Sequence, residues 1–146
     1  MPLTFRILPE RGLVVVRYSG FATIDDTMSA TALYVADPHY APGQKQLVDM
    51  TALTGYEKDY VRFMEMQAGK AERFNNAGVQ SLVVYIAPSP VSQEVAGLFL
   101  RSWDDVDAVV PMIQRTEAQA LALLGQPERT LDELFAAAEY GQASPD

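Results

Sequence analysis

The side chains able to do chemistry in this sequence gather in two segments. One runs from Asp49 through Thr51 and Thr54 to Gly55 and Tyr56. If a helix starts after this run, its unpaired backbone N–H groups attract anions, and a hydroxyl there can bind or accept a phosphate. Thr54 is the first acceptor by this reasoning, with Thr51 and Tyr56 behind it. The plainer reading is that Thr54 simply caps the helix. Asp49 could take a proton or orient the loop, or it could bind nearby backbone N–H groups in an Asx-turn. The second segment is Ala87-Pro88-Ser89-Pro90-Val91-Ser92. Serine before proline is a helix start, with Ser89 as N-cap and Pro90 at the first helical position. Two helix starts on one sheet edge would form a pocket for a small anion, with Ser89 and Ser92 in it.

Other reactive groups are sparse. The one histidine, His39, follows Asp37-Pro38, an acid–base arrangement or a solvated loop. No GxSxG elbow accompanies it. Asp104, Asp105 and Asp107 are acidic enough for calcium or magnesium but lack the ligand spacing and glycine of an EF-hand loop. Neither GxGxxG nor GxxxxGK[ST] occurs, so nucleotide binding by the standard modes is not expected. With no cysteine, disulfides, thiolate metal sites and cysteine nucleophiles are excluded. No metal, cofactor or catalytic constellation is expected. An enzyme using Asp49 or His39 as a base is the catalytic alternative.

These residues need a frame. Leu3 to Leu8 alternates, Pro9-Glu10-Arg11-Gly12 is turn chemistry, and Leu13 to Tyr18 is a β-branched run, so a hairpin is predicted. A helix capped by Thr23 follows, with Ile24, Met28, Thr31, Ala32 and Val35 inward, ended by Asp37-Pro38. Gln46 to Met50 is a short third strand. The longest helix is predicted from Glu57 to Asn75, with Tyr56, Tyr60, Phe63, Met64, Gln67, Ala71 and Phe74 on its core face. Its wet face then takes Lys58, Asp59, Arg62, Glu65, Lys70, Glu72 and Arg73, and Met66 falls off the core stripe as a surface candidate. Gly69 inside the helix suggests close packing. Ser81 to Ala87 is apolar throughout, as for a strand covered on both faces. Val91, Val95, Leu98, Phe99 and Trp103 line the next helix, Ala108 to Ile113 is a strand held to the sheet edge by Pro111, and two short helices start at Thr116 and Thr130. Helices between strands imply a largely parallel sheet, whose ligands sit where strands end and helices begin.

One domain spanning residues 3–140 is expected from 146 residues, 49% hydrophobic and 21% charged, with a frayed tail over 141–146. The net charge of −8 argues against a nucleic-acid partner or an anionic membrane surface. No apolar run approaches a membrane span, and Met1 to Arg6 has no signal-peptide core, so a cytoplasmic setting is expected.

The order of elements, with Asp-x-Thr at Asp49–Thr51, the Ala87-Pro88-Ser89-Pro90 strand exit and the Arg115-Thr116-Glu117-Ala118 helix entry, resembles the STAS domain family. The family's founders are bacterial anti-sigma-factor antagonists, and the likeness is nearer to its small stand-alone group. The resemblance covers roughly residues 3–125. It implies an α/β fold, a single STAS-like domain with a mixed five-stranded sheet flanked by helices. In the antagonists a partner kinase phosphorylates a serine in an Asp-Ser-Ser-Gly motif. That motif maps near Thr54-Gly55-Tyr56, where no serine stands, leaving Thr54 or Tyr56 as acceptor. The resemblance therefore implies a non-catalytic interaction module, switched by phosphorylation or ligand after the third strand, with a regulatory kinase or phosphatase domain as partner. Contacts would come from Asp49, Gly55, Tyr56, Ser89 and Ser92. The alternative from a different class is a sensor or carrier of a small anionic metabolite or lipid. A homodimer is compatible with either, through a helix face or the first strand.

Overall fold

The computed structural model describes residues 2–143. Five strands, β1 (Leu3–Leu8), β2 (Leu13–Ala22), β3 (Lys45–Tyr56), β4 (Ser81–Ile86) and β5 (Val109–Gln114), form one sheet in sequential order. β1 pairs antiparallel with β2, and every later pairing is parallel. The hairpin turns through one 3-10 turn at Pro9–Arg11, closed by Gly12 at φ 59°. That left-handed backbone is one that glycine adopts without a Cβ clash. The mixed five-stranded sheet is as the sequence implies, and β5 lies at an edge with Pro111 in it.

Five helices follow in the chain: α1 (Ile24–Ala36), α2 (Tyr60–Ala77), α3 (Pro90–Ser102), α4 (Glu117–Leu123) and α5 (Leu131–Ala143). Each sheet face buries its own core. Tyr18, Val48, Val83 and Tyr85 face Ile24, Phe63, Met66, Val95 and Phe99 of α1–α3. Leu13, Val15, Leu47, Val84 and Ile86 face Leu121, Leu124, Leu131 and Leu134 of α4 and α5. Val83 and Tyr85 point one way and Val84 and Ile86 the other, which is why β4 reads as unbroken apolar sequence. Thr23, Ser89 and Thr116 cap α1, α3 and α4, each accepting the N–H three residues on. Of the tail expected from residue 141, the first three residues continue α5, and 144–146 lie outside the described residues.

Several expectations are corrected. β3 does not stop at Met50 but runs to Tyr56, and α2 begins at Tyr60 rather than Glu57. Beyond Asp49 and Ile86, β3 leaves β4 and pairs with β2 alone, through two register shifts. Such bulges strengthen the local twist, and here they carry a two-stranded ribbon past the sheet. α2 is also rolled relative to expectation: Phe63, Met66 and Gln67 are buried, while Tyr60 and Met64 are exposed. Met66 is thus core, not surface. α1 is rolled likewise, burying Ile24 and Thr27 and leaving Met28 exposed. Gly69 faces open space, so close packing does not explain it.

Candidate functional site

The strand extension redefines the Asp49–Tyr56 segment. Thr51 and Thr54 are exposed strand residues. The cap of α2 is Asp59, whose carboxylate accepts the Arg62 N–H at 3.1 Å. Neither the anion-site nor the capping reading of Thr54 therefore has a helix start to act on. Asp49 Oδ1 accepts both the Thr51 N–H at 3.0 Å and its hydroxyl at 2.6 Å, the Asx arrangement, and Arg17 Nε donates to Oδ2 at 3.4 Å. These bonds pin the first bulge. Gly55 lies under the Phe21 ring, where an added Cβ would come within 3.1 Å of Cδ2.

Near the starts of α2 and α3 lies a small cavity of about 30 Å³, lined by Tyr56, Glu57, Tyr60, Val95 and Leu98 among others but by neither Ser89 nor Ser92. Tyr56, buried at the end of β3, donates its hydroxyl hydrogen to Glu94 Oε1 of α3 at 2.5 Å and has the Tyr60 hydroxyl of α2 at 3.5 Å. Burial and the Glu94 carboxylate hold the Tyr56 phenol far above its ordinary pKa. Ser89 and Ser92 spend their hydroxyls on each other and on backbone. Ser89 Oγ accepts the Ser92 N–H at 3.2 Å, and Ser92 Oγ accepts the Ser89 N–H at 2.9 Å. His39 is exposed, its Nδ1 3.4 Å from Asp37. Among the described residues no group of three or more His, Cys, Asp or Glu is placed to hold a metal, and Asp104, Asp105 and Asp107 lie exposed in the turn before β5.

A further cavity lies on the sheet face beneath α1 and α2. It measures about 70 Å³, room for about five water-sized groups at roughly 15 Å³ each. Val14, Val16, Tyr18, Val48 and Tyr85 form its floor, Thr27, Ala30 and Tyr34 its α1 wall, and Lys70 and Phe74 its α2 wall. The floor uses the first halves of β2 and β3, not the strand ends where ligands of open α/β sheets usually sit.

Among the described residues Lys70 is its one charged lining residue. Among the described residues its ammonium has no hydrogen bond and no ion pair, only the face of the Phe99 ring 5.5 Å away. Burial pushes its pKa down to about 8, since a desolvated ammonium is disfavoured against the neutral amine. Around it stand further donors. Tyr85 accepts the Trp103 indole N–H at 2.9 Å, and among the described residues its own O–H finds no acceptor. The Tyr18 hydroxyl has only the Thr27 hydroxyl, 3.0 Å away. Burial raises the pKa of Tyr18 to about 12 and of Tyr85 further, so both remain neutral O–H donors. A largely apolar box that holds an ammonium and a Tyr85 O–H, both without an acceptor among the described residues, fits a compact anionic acceptor.

Lys70 is the residue that sequence reading placed wrongly, on the wet face of α2. Its signal was present. Phe63, Met66, Gln67, Lys70 and Phe74 repeat at three- and four-residue spacing, so periodicity alone puts Lys70 on the core side. No helix among the described residues is long and apolar enough to cross a membrane. No protein-family model matches this chain, and no curated protein matches it.

Proposed function

We propose that this protein binds a small amphipathic anion, a carboxylate bearing an apolar group, in the cavity beneath α1 and α2, and acts as a sensor or carrier of it. The observation that carries this reading is Lys70, an ammonium without an anionic partner in an apolar cavity. A buried charge without a counterion is costly, and a ligand carboxylate removes that cost. At 4 Å and an effective dielectric of 20, the attraction is on the order of 4 kcal/mol. Tyr85 and Tyr18 would supply neutral donors, and the aliphatic and aromatic walls would take the apolar end. The test is a calorimetric titration of the purified chain with acetate, butyrate and hexanoate. Binding that disappears in Lys70→Met supports the reading. Failure of all three to bind, or equal binding by Lys70→Met, refutes it.

A second reading keeps the STAS-like assignment and its interaction module. Its support is the β2–β3 ribbon, which carries an exposed Thr54 and, on its partner strand, Phe21 at 57% exposure. A kinase could reach that hydroxyl, and a partner domain could cover the ring. Phosphate on Thr54 of protein isolated from its source, with partner capture altered by Thr54→Ala and Thr54→Glu, would support it. An unmodified Thr54 and indifferent variants would remove it.

A further inference from the structure

Resting on that ligand reading, we propose that the ligand is an unbranched acyl carboxylate, held head-inward at Lys70 with its chain laid in the groove between α1 and β1. The inner cavity alone is too small for anything longer than a few heavy atoms. It is not isolated, however. A groove of about 280 Å³ lies beside it, lined by Pro2, Leu3, Thr4, Phe5, Asp26, Ser29, Ala30 and Leu33. Leu3, Phe5 and Ala30 line both spaces, so the two adjoin across those three side chains.

Two features of this junction select the ligand. Ala30 is the small residue at the crossing, set against Leu3 and Phe5, which admits a slender chain more readily than a branched one. Charge then fixes direction. Among the described residues the groove holds one carboxylate, Asp26, and no cation, whereas the cavity holds Lys70 and no carboxylate. An anionic head is drawn inward and repelled outward. Leu33, at 61% exposure, is a large apolar side chain of the groove that water now covers, and a methylene chain would cover it instead.

The experiment titrates the full chain with butyrate, hexanoate and octanoate, with 2-propylpentanoate as the branched isomer of octanoate and octylamine as the opposite head. Affinity is expected to rise about fourfold for each added methylene that enters the groove. The branched acid should fall well below octanoate, and octylamine should not bind. Ser29→Trp places a large ring in the groove from an exposed helix position and should return octanoate to the affinity of butyrate. Lys70-dependent butyrate binding with no gain on lengthening would overturn the groove while sparing the ligand reading. So would octanoate binding unaffected by Ser29→Trp. Octylamine binding as tightly as octanoate would overturn the head-inward direction. If butyrate itself fails to bind, the ligand reading falls and this inference with it.

Discussion

Replacing Lys70 by methionine should stabilise the free protein near neutral pH, and the size of the effect follows from the cavity. Methionine keeps an unbranched, flexible side chain and loses the charge. Burial lowers the Lys70 pKa from 10.5 to about 8. The unfolded chain therefore binds more protons than the folded one between those values, and stability rises with pH there. At about 1.36 kcal/mol per pH unit, holding the ammonium at pH 7 costs at most about 3 kcal/mol. Part of Lys70 reaches solvent, so a gain of about 1–3 kcal/mol is expected for Lys70→Met. For a chain of this length that is a rise in melting temperature of roughly 3–10 °C. The assay is a pair of thermal melts, at pH 7 and at pH 9.5, on ligand-free protein. By pH 9.5 the folded lysine is mostly neutral, so the gap between variant and native protein should shrink to less than half. Measurements stop there because Tyr18, Tyr34 and Tyr85 have raised pKa values, and their unfolded-state ionisation erodes stability above about pH 10. A variant no more stable than the native protein at pH 7, or a gap independent of pH, would refute the desolvated ammonium and with it the basis of the site. The gain in stability should come with lost binding, as when a functional group is held at a structural cost.

Carboxylate affinity should fall about tenfold between pH 7 and pH 9, because the free Lys70 amine loses its proton near pH 8; calorimetry at the two values checks it, and a flat profile would show that the ammonium is not the ligand's partner. Tyr56→Phe removes the hydroxyl shared with Glu94 and Tyr60 and should destabilise by about 1–2 kcal/mol in urea unfolding, a hydrogen bond to a charged group. Glu128 receives two hydrogen bonds from Arg11, at 2.6 and 2.9 Å, which lower its pKa. Its stabilisation is therefore complete above its unfolded pKa and is lost as pH falls through its folded one. Glu128→Gln should cost about 1 kcal/mol at pH 7 and progressively less as pH falls below the unfolded carboxylate's range, a convergence that acid titration of unfolding free energies would detect.

The frame was legible wherever local chemistry decides it. Thr23, Ser89 and Thr116 announce their helices because a side-chain oxygen three residues before an N–H is a local contact, and Pro111 marks its edge because a missing donor is a local fact. What escaped was decided at a distance. Thr51-Ala52-Leu53-Thr54-Gly55-Tyr56 carries no dense apolar run, and it is strand because β2 continues alongside and Asp49 pins the bulge between them. The site failed for a related reason. Hydrophobic periodicity assigns a lysine to water, so the spacing of Lys70 with Phe63, Met66 and Phe74 was overruled by its charge. The candidate site was illegible through the same residue that makes it a candidate.

Helix α1 is fastened at both ends, and between them the buried Thr27 hydroxyl meets that of Tyr18 on β2 at 3.0 Å. At its start the Glu57 carboxylate accepts the Ile24 N–H at 2.9 Å, and Arg62 pairs with Asp25. At its end the Tyr34 hydroxyl donates to Gln44 Oε1 at 2.6 Å, and the ring meets those of Phe5 and Tyr40 edge-on. Between these moorings α1 spans the cavity as a beam spans a gap, resting on Thr27, Ala30 and Thr31. Such a beam does not swing open like a door. It bows, and the width it yields is greatest at mid-span and vanishes at the supports. A ligand beneath it would enter from the flank along β1, and the middle-turn amides of this helix should gain hydrogen-exchange protection when the space below is filled.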